Sequence, residues 1–597
     1  MSARLESAAD TINVKISDRY LTNMIGRFLR PYWFQILLVF GMLIAVAAMS
    51  LVMPLLIQRA VDGPIRTGDL SGLIPYGLAY FSLILVIFAI RFAHTYLLQT
   101  VGQNALVNLR QELFEHIMRQ DMRFFNTTPV GQLVSRLSND IDALTELLST
   151  SIVVLASNVV QLIGIVVVML ALNWRLALLS LLLLPFMTAV TVYYRKRIRA
   201  QSTRFHKLVG EYLAYINEQF NGMVIVQLFG QQHVSREGFR QLNQQYVDIH
   251  SRFRDYYTGY ASWLQILTSV GLAIVLYGGG QGVLAGWATL GTLIAFMEYT
   301  RRTFEPINQL SEQIAQIQTA FSAGERIAKM LRVEPEITEA AQPLTLDERQ
   351  RHSITFDHVN FGYEPGHLVL RNLDLYVPPG QRVAVVGATG AGKTSLAGLL
   401  ARFYDVNEGR VLIDGVDVRA IGLADLRQYV TVVPQNPYCF DGTVADNLRL
   451  FDPTISEDKM IAAAKMACAH RFIERLPGDY NFELLPGGAN LSQGQKQLLA
   501  LARALIHNPN SILVLDEATS SIDTETEAMI QDGLVQVLHN RTSLVIAHRL
   551  STIREVDRIL VMKRGQIIED GTHAELLALD GVYAQLYRRQ FLELESA

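Results

Sequence analysis

Cysteine and net charge are both scarce in this sequence. Only two cysteines, Cys439 and Cys468, occur among its 597 residues. So few thiols exclude a disulfide framework and a cysteine metal cluster, and they fit a reducing cytosol. The formal net charge is only −3 and no long basic run occurs, so we expect no nucleic-acid partner. The first thirty residues are polar and mixed in charge, so we expect no cleaved signal peptide but a cytoplasmic N-terminal segment, 1–30.

Apolar residues, by contrast, make up half of the chain. A chain of this length exceeds one domain, and about 20 apolar residues of helix are enough to cross a bilayer core. Six stretches of the first half reach that length with few or no charges: 31–58, 70–90, 147–173, 174–194, 260–283 and 287–304. The sequence therefore predicts an all-α, six-helix transmembrane domain over residues 31–331.

The segments between these stretches differ in length. A tight turn is predicted near Asn173, and a glycine-rich loop, Gly278–Gly286, is predicted before the sixth stretch. The segments 99–146 and 195–256 are long, polar and poor in Gly and Pro, so they are predicted to continue helices well beyond the bilayer.

Basic residues set the predicted orientation. Arg27 and Arg30 precede the first stretch, and four basic residues follow the fourth: Arg195, Lys196, Arg197 and Arg199. We therefore expect a multi-pass membrane protein with the N-terminus and the C-terminal domain in the cytoplasm.

Ionisable residues interrupt two of the apolar stretches. Arg91 lies at the inner part of the second, and the sixth contains Glu298, Arg301 and Arg302, followed by Glu305. Charges at this depth are costly, so they usually face a cavity or one another. Two interpretations stay open: these residues line a substrate pathway, or they form pairs along a cytoplasmic extension of one helix.

A polar linker is predicted over residues 332–352, and a second domain over 353–597. Strands and helices alternate from Ile354 onward, which is typical of an α/β fold. An apolar, β-branched strand, Val383–Val386, is followed by a loop of the pattern GxxxxGKT and then by a predicted helix, about Lys393–Phe403. This order of strand, glycine-rich loop and helix predicts a phosphate-binding loop.

Glycines in such a loop let backbone N–H groups turn around an anion, and the helix N-terminus adds the positive end of its dipole. Lys393 can reach the β- and γ-phosphates, and the hydroxyl of Thr394 can bind Mg²⁺. The predicted nucleotide-binding residues of the loop are Gly387, Ala388, Thr389, Gly390, Ala391, Gly392, Lys393, Thr394 and Ser395.

A second buried strand, Ser511–Leu515, ends in two acids. At the carboxyl end of a strand, Asp516 can hold Mg²⁺ through water, and Glu517 can orient or deprotonate the attacking water. Together with the loop, this pattern predicts an ATPase whose cofactors are ATP and Mg²⁺.

Residues 491–495, Leu-Ser-Gln-Gly-Gln, resemble the signature motif of ABC transporters, and the resemblance covers nearly the whole chain. It implies a dimer in which Ser492, Gly494 and Gln495 of one subunit bind the nucleotide held by the phosphate loop of the other. It also implies that Tyr363 stacks on adenine and that Asp523 belongs to the segment following the acids, next to the nucleotide. The catalytic set that it implies is Lys393, Gln435, Glu517 and His548, and the metal set is Thr394, Gln435 and Asp516.

Six spans followed by one nucleotide-binding domain resemble an exporter half-transporter. The segments 124–140 and 211–229 resemble the coupling-helix regions of ABC exporters. The resemblance implies outward transport of a small hydrophobic or amphipathic substrate, a drug or a lipid, with peptides and siderophores left open. An ATP-gated channel or regulator on the same fold is disfavoured by the presence of Glu517 and His548, and an importer by the fusion of both domains.

Two departures from the family pattern concern the partner. Gln493 stands where the signature usually has glycine, and residues 484–488, Leu-Leu-Pro-Gly-Gly, replace an acidic, glycine-rich segment. A variant signature on a chain that retains Glu517 resembles one half of the asymmetric heterodimeric multidrug exporters. The resemblance thus favours a heterodimer with a second half-transporter over a homodimer.

Overall fold

The computed structural model of the chain describes residues 18–347, 350–516, 524–547, 553 and 556–595. The chain divides into two units, the first made of Met1–Arg119 and Thr128–Val333 and the second of Gln120–Thr127 and Glu334–Ala597. The first is helical and the second is an α/β domain, so the predicted fold class is confirmed. Residues 120–127 fold with the second unit, although the sequence on both sides of them belongs to the first.

Long helices make up the N-terminal half of the chain. The helices of residues 18–333 are, in chain order, α1 (Asp18–Leu29), α2 (Trp33–Ala60), α3 (Leu70–Met118), α4 (Met122–Thr127), α5 (Val130–Ser135), α6 (Ile141–Glu146), α7 (Ile152–Leu172), α8 (Trp174–Leu181), α9 (Leu184–Asn221), α10 (Met223–Leu228), α11 (Gln232–Leu284) and α12 (Leu290–Met330). Wider π-helical turns, Arg136–Asp140 and Leu147–Ser151, join α5, α6 and α7 without a break.

Five helical stretches of the described residues are long and apolar enough to cross a membrane: Gly26–Ile65, Leu70–Met118, Val130–Leu172, Trp174–Asn221 and Gln232–Leu284. The predicted sixth span lies in α12, which has 41 residues. Its apolar beginning is soon interrupted by Glu298, Arg301 and Arg302, so hydropathy alone does not select it. The helices α3, α9 and α11 are long, with 49, 38 and 53 residues, but neither predicted segment is one continuous helix: 99–146 is broken after Met118, and 195–256 is broken after Asn221 and Leu228.

The turn predicted between the third and fourth spans is present, but the glycine-rich loop predicted before the sixth is wrong. Most of Gly278–Gly286 belongs to α11, which ends at Leu284. A Cβ on Gly279 would lie 2.4 Å from the Cδ1 atom of Leu293. These glycines therefore allow close packing inside a membrane helix, and they do not mark a turn.

Helix α12 is the centre of the first unit, where it packs against α2, α7 and α11. Phe296 and Tyr299 of this helix are fully buried, and the Tyr299 hydroxyl donates to the Leu51 carbonyl of α2 at 2.6 Å. At the start of the helix, Asp62 accepts from the backbone N–H of Gly291 at 2.8 Å. Specific polar contacts therefore fix α12 against α2 and the turn that follows it, inside an apolar bundle.

Strands of the second unit build two main sheets. They are β1 (Ile354–Phe361), β2 (Leu370–Val377), β3 (Arg382–Val386), β4 (Glu408–Ile413), β5 (Val416–Asp417), β6 (Val430–Val433), β7 (Gly442–Thr443), β8 (Glu483–Leu484), β9 (Ile512–Asp516), β10 (Ser543–Ile546), β11 (Arg558–Lys563) and β12 (Gln566–Gly571). A six-stranded sheet has the order β12-β11-β3-β10-β9-β6, and an antiparallel sheet has the order β2-β1-β4-β5. The strands β11, β3, β10, β9 and β6 are mutually parallel.

The helices of residues 334–595 are α13 (Lys393–Leu400), α14 (Leu423–Tyr429), α15 (Val444–Arg449), α16 (Glu457–Met466), α17 (His470–Ile473), α18 (Gln493–His507), α19 (Thr524–Leu538), α20 (His573–Ala578) and α21 (Val582–Glu595). Alternate residues of β3 enter two different cores. Val383 and Val385 pack with the antiparallel sheet and α13, whereas Ala384 and Val386 pack with α18 and α19. The six-stranded sheet is therefore buried on both faces, as its continuous apolar strands predict.

Candidate active site

Four parallel strands of the large sheet end at one edge, and each predicted catalytic segment follows one of them. In register, β3 pairs with β10, β10 with β9, and β9 with β6. The phosphate loop follows β3, Asp516 ends β9, Gln435 comes two residues after β6, and Ala547 directly follows β10. Ligands of open α/β sheets bind at this carboxyl edge, so the topology gathers the predicted site.

Positive backbone φ angles shape the phosphate loop. Gly387, Gly390 and Gly392 have φ angles of 151°, 82° and 102°, which side chains other than glycine rarely adopt. A Cβ on Gly387 would lie 2.3 Å from the Met562 carbonyl oxygen, whereas a Cβ on Gly390 would meet nothing within 4 Å. The loop thus packs against the sheet at Gly387 and is open to solvent at Gly390, which leaves room for a phosphate.

Lys393 is the first residue of α13, and the residue is only 6% exposed. Its ammonium donates to the carbonyl oxygens of Gly387 and Ala388 at 2.7 and 3.2 Å. Burial lowers the pKa of Lys393, and the nearby carboxylate of Asp516 opposes that shift. The loop thus holds a cation at its centre and satisfies it with its own carbonyl groups. A phosphate placed there would give that cation a far stronger partner.

The two predicted metal ligands Thr394 and Asp516 lie together. The Thr394 hydroxyl donates to a carboxylate oxygen of Asp516 at 3.4 Å, although the two residues are 122 positions apart in the chain. A hydroxyl and a carboxylate are hard oxygen donors of the kind that Mg²⁺ prefers beside phosphates. The residues present therefore fit Mg²⁺, and Gln435 is exposed at the same sheet edge.

Tyr363 lies beside the N-terminal turn of α13. Its hydroxyl is 3.0 Å from the Ser395 Oγ atom. Its ring contacts those of Phe361 and Tyr404 edge-on, with centroids 4.9 and 5.1 Å away, and 41% of the residue is exposed. These neighbours hold the ring next to the phosphate loop and leave part of it accessible for stacking on a base.

The signature segment forms the start of α18. Ser492 is the N-cap, and its Oγ atom accepts from the Gln495 N–H at 3.2 Å while the Gln495 side chain accepts from the Ser492 N–H at 2.9 Å. This reciprocal pair is a capping box, so Gln495 orients Ser492. The Gln493 side chain donates to the Asn436 side chain at 3.1 Å, which ties the signature to the segment after β6.

Sequence reasoning missed the contacts that α4 makes within the second unit. Arg123 donates to both carboxylate oxygens of Glu336 at 2.8 and 2.9 Å and to the Tyr363 carbonyl oxygen at 3.0 Å. Asn126 donates to the Tyr404 hydroxyl at 2.6 Å. The segment 124–140 was expected to be important, but Arg123 precedes it and carries no motif that would have identified it.

Three predicted site residues, Glu517, Asp523 and His548, lie outside the residues that the structure describes. Their neighbours Asp516 and Ala547 are described and lie at the carboxyl edge of the sheet. The roles predicted for all the site residues stay predictions.

Two family models match the chain: the ABC transporter transmembrane region over residues 36–307 and the ABC transporter domain over residues 370–520. The chain belongs to the ABC transporters. A fatty acid ABC transporter ATP-binding/permease protein of Mycobacterium bovis is 37% identical over 83% of this chain and 78% of its own length. An ATP-dependent lipid A-core flippase of Desulfotalea psychrophila is 33% identical over 94% of this chain and 97% of its own length.

Solved structures agree with this assignment. The structure of a bacterial Atm1-family ABC exporter with ATP bound superposes with a TM-score of 0.75 and 29% identity, over 94% of this chain and 98% of that one. The chain is thus an ABC transporter with the exporter fold, a multi-pass membrane protein with an ATP-binding domain of the kind that generally hydrolyses ATP.

Proposed function

We propose that this ABC transporter is a half-transporter whose dimer uses Mg²⁺-dependent ATP hydrolysis to export a hydrophobic or amphipathic compound. The observation that carries the proposal is the pairing of Thr394 with Asp516 beside the buried Lys393, in a chain that also contains a membrane domain. A channel or regulator would need no complete hydrolytic site, and this chain has one in sequence, including Glu517 and His548.

Each site residue has a role in this proposal. Lys393 leaves its loop carbonyls for the β- and γ-phosphates, and Thr394 and Asp516, with Gln435, hold the Mg²⁺ that neutralises phosphate charge. Glu517 accepts a proton from the attacking water, and His548 contacts the γ-phosphate. Tyr363 stacks on adenine.

We propose a dimer because each nucleotide site would be formed by residues of two subunits. Ser492 and Gly494 of one subunit bind the phosphate held by the other, with Asp523 at the junction. The comparisons do not support the preference for a heterodimer that Gln493 suggested. We therefore propose a dimer of half-transporters and leave the identity of the second half to experiment.

The proposed location is a bacterial inner membrane, with the nucleotide-binding domain in the cytoplasm where ATP is available. The names of the relatives include a fatty acid transporter and a lipid A-core flippase, which supports a lipid-like cargo for this chain. The segments 124–140 and 211–229 are proposed to couple nucleotide binding to movement of the spans.

Reconstituted protein tests the function directly. In inside-out proteoliposomes, a panel of lipid and drug probes should stimulate Mg²⁺-ATPase activity and accumulate inside the vesicles only with ATP. Lys393→Ala should abolish both signals, because the phosphates lose their buried cation. Accumulation without hydrolysis, or hydrolysis that no probe stimulates or that moves none, would contradict the proposal.

A further inference from the structure

A cavity of about 950 Å³ lies inside the first unit, between α2, α3, α7, α11 and α12. This size is at the upper end of the range for small-molecule sites. One part of its wall is apolar, with Met53, Ile84 and Phe88 among its residues, and another part carries hydroxyl and amide groups such as those of Ser157 and Gln161. The wall is thus amphipathic.

The charged side chains that the structure describes in this wall are basic. Arg91 of α3 and Arg301 and Arg302 of α12 line the cavity together with His94. Among the side chains that the structure describes, none that lines it is a carboxylate. Arg91 and Arg302 are 211 positions apart in sequence, yet their two helices bring three guanidinium groups to one cavity.

Two of these arginines bond to the same described carboxylate. Glu298 accepts from Arg301 at 3.0 Å and from Arg302 at 2.9 Å, and all three residues belong to α12. Arg302 also donates to the Ser50 carbonyl at 3.0 Å, which aims it across to α2. No described acidic side chain pairs with Arg91. The pairs with Glu298 are thus intrahelical, and the same arginines also line the cavity.

Cationic side chains within a membrane domain are costly and are retained where they meet a substrate or a counter-ion. A guanidinium presents donors in a fork that matches carboxylate and phosphate oxygens, and it is more weakly hydrated than an ammonium. An apolar wall beside such donors suits an attached alkyl chain.

We infer that this cavity binds an amphiphile with a carboxylate or phosphate head group, which Arg91 and Arg302 hold while Phe88 and its apolar neighbours receive the alkyl chain. This inference rests on the proposed export function and adds the charge of the cargo. A cationic drug would meet repulsion here, so the cavity selects against it.

The test uses the full chain in proteoliposomes of phosphatidylcholine, which has no net charge. Dodecanoate, dodecyl phosphate, dodecanol and dodecyltrimethylammonium share one alkyl chain and differ in head group. The two anions should stimulate Mg²⁺-ATPase activity at concentrations about tenfold lower than the other two, as expected when one charge contact is worth about 1.4 kcal/mol. Inorganic phosphate alone should not stimulate, because it lacks the chain.

Substitutions locate the effect. Arg91→Gln should raise the half-maximal concentration of the anions about tenfold, and Arg91→Lys should restore part of the loss. Arg91→Glu should shift the preference toward dodecyltrimethylammonium, a gain that a misfolded protein cannot give. Arg66→Gln is the matched control, because Arg66 is exposed and does not line the cavity.

Equal stimulation by all four amphiphiles, stimulation by inorganic phosphate alone, or unchanged anion preference in both Arg91→Gln and Arg91→Glu would overturn the inference. Transport of a cationic or neutral probe alone would overturn it and leave the export function standing. Absence of ATP hydrolysis in the wild-type protein would instead contradict the proposed function itself.

Discussion

Lys393 illustrates how a single residue prepares the phosphate loop for its ligand. Its ammonium is buried and bonded to two loop carbonyls, so the cation stays at the centre of the cradle. Burial lowers the pKa of Lys393 because it removes water from the charged ammonium. A phosphate bound beside it would stabilise that charged form. Lys393 needs only to exchange its bonds to the loop carbonyls for bonds to the phosphates, which are stronger partners for a cation.

Replacement of Glu517 by Gln should remove the general base and leave the shape of the site unchanged. We expect turnover to fall about 100-fold or more, while ATP still binds and traps a closed dimer. Phosphate release and the retention of a fluorescent ATP analogue measure the two effects. Glu457→Gln, an exposed position in α16, is the control. Near wild-type turnover of Glu517→Gln would exclude the proposed role of Glu517.

Tyr363 should contribute to ATP affinity through its ring. Stacking of an aromatic side chain on a base is worth about 1–3 kcal/mol, so Tyr363→Ala should weaken binding and Tyr363→Trp should largely retain it. Tyr363→Phe separates the ring from the hydroxyl bond to Ser395. Titration with a fluorescent ATP analogue measures the affinity, with Tyr376→Ala, an exposed tyrosine of β2, as control. Equal affinities in all the variants would place adenine elsewhere.

At the scale of elements, two short helices differ in how they are held. Helix α4 belongs to the second unit and bonds to it through Arg123 and Asn126. Helix α10 exposes apolar side chains, with Val224 75% and Leu228 73% exposed. Exposed apolar residues that cluster on one short helix mark a contact surface.

Both helices are expected to carry coupling between ATP and transport. Asn126→Ala removes the bond to Tyr404, and Leu228→Ala removes an exposed apolar side chain of α10. Each should lower substrate-stimulated ATP hydrolysis several-fold and leave nucleotide binding largely intact, because neither residue belongs to the phosphate loop. Gln244→Ala, exposed on α11, is the control. A parallel loss of basal hydrolysis would indicate a folding defect, whereas unchanged substrate stimulation in both variants would contradict the coupling role.

At the scale of the whole molecule, Gln493 bears on the choice of partner. Its bond to Asn436 lies within one subunit, so this residue has a local function that requires no different partner chain. Such a contact weakens the argument from the signature for a heterodimer, in agreement with the comparisons.

The oligomeric state distinguishes the two assemblies. If the partner is a different chain, this chain alone should show little ATP hydrolysis, and coexpression with a second half-transporter that has a consensus signature should restore it. Light scattering in detergent and ATPase rates of the purified protein measure both. A stable homodimer with robust, substrate-stimulated hydrolysis would exclude the obligate heterodimer. Gln493→Gly in that homodimer then reports what the bond to Asn436 contributes.

The sequence by itself determined the features that are contiguous in the chain. The strand, glycine loop and helix around Gly387 and Lys393 were predicted because the motif joins these elements within a few residues. The spans were recognised from local composition, since about 20 apolar residues suffice to cross a bilayer. The signature at Ser492 was found in the same way.

Only the tertiary structure decided which distant residues meet. It brought Thr394 to Asp516, Gln493 to Asn436, and Arg91 to the cavity lined by Arg302. It also corrected the loop Gly278–Gly286 and assigned residues 120–127 to the second unit. Composition and periodicity report which residues avoid water, but they do not report their packing neighbours. Glycine is the clearest case, because it serves both turns and close helix packing, and only the neighbouring side chains distinguish the two.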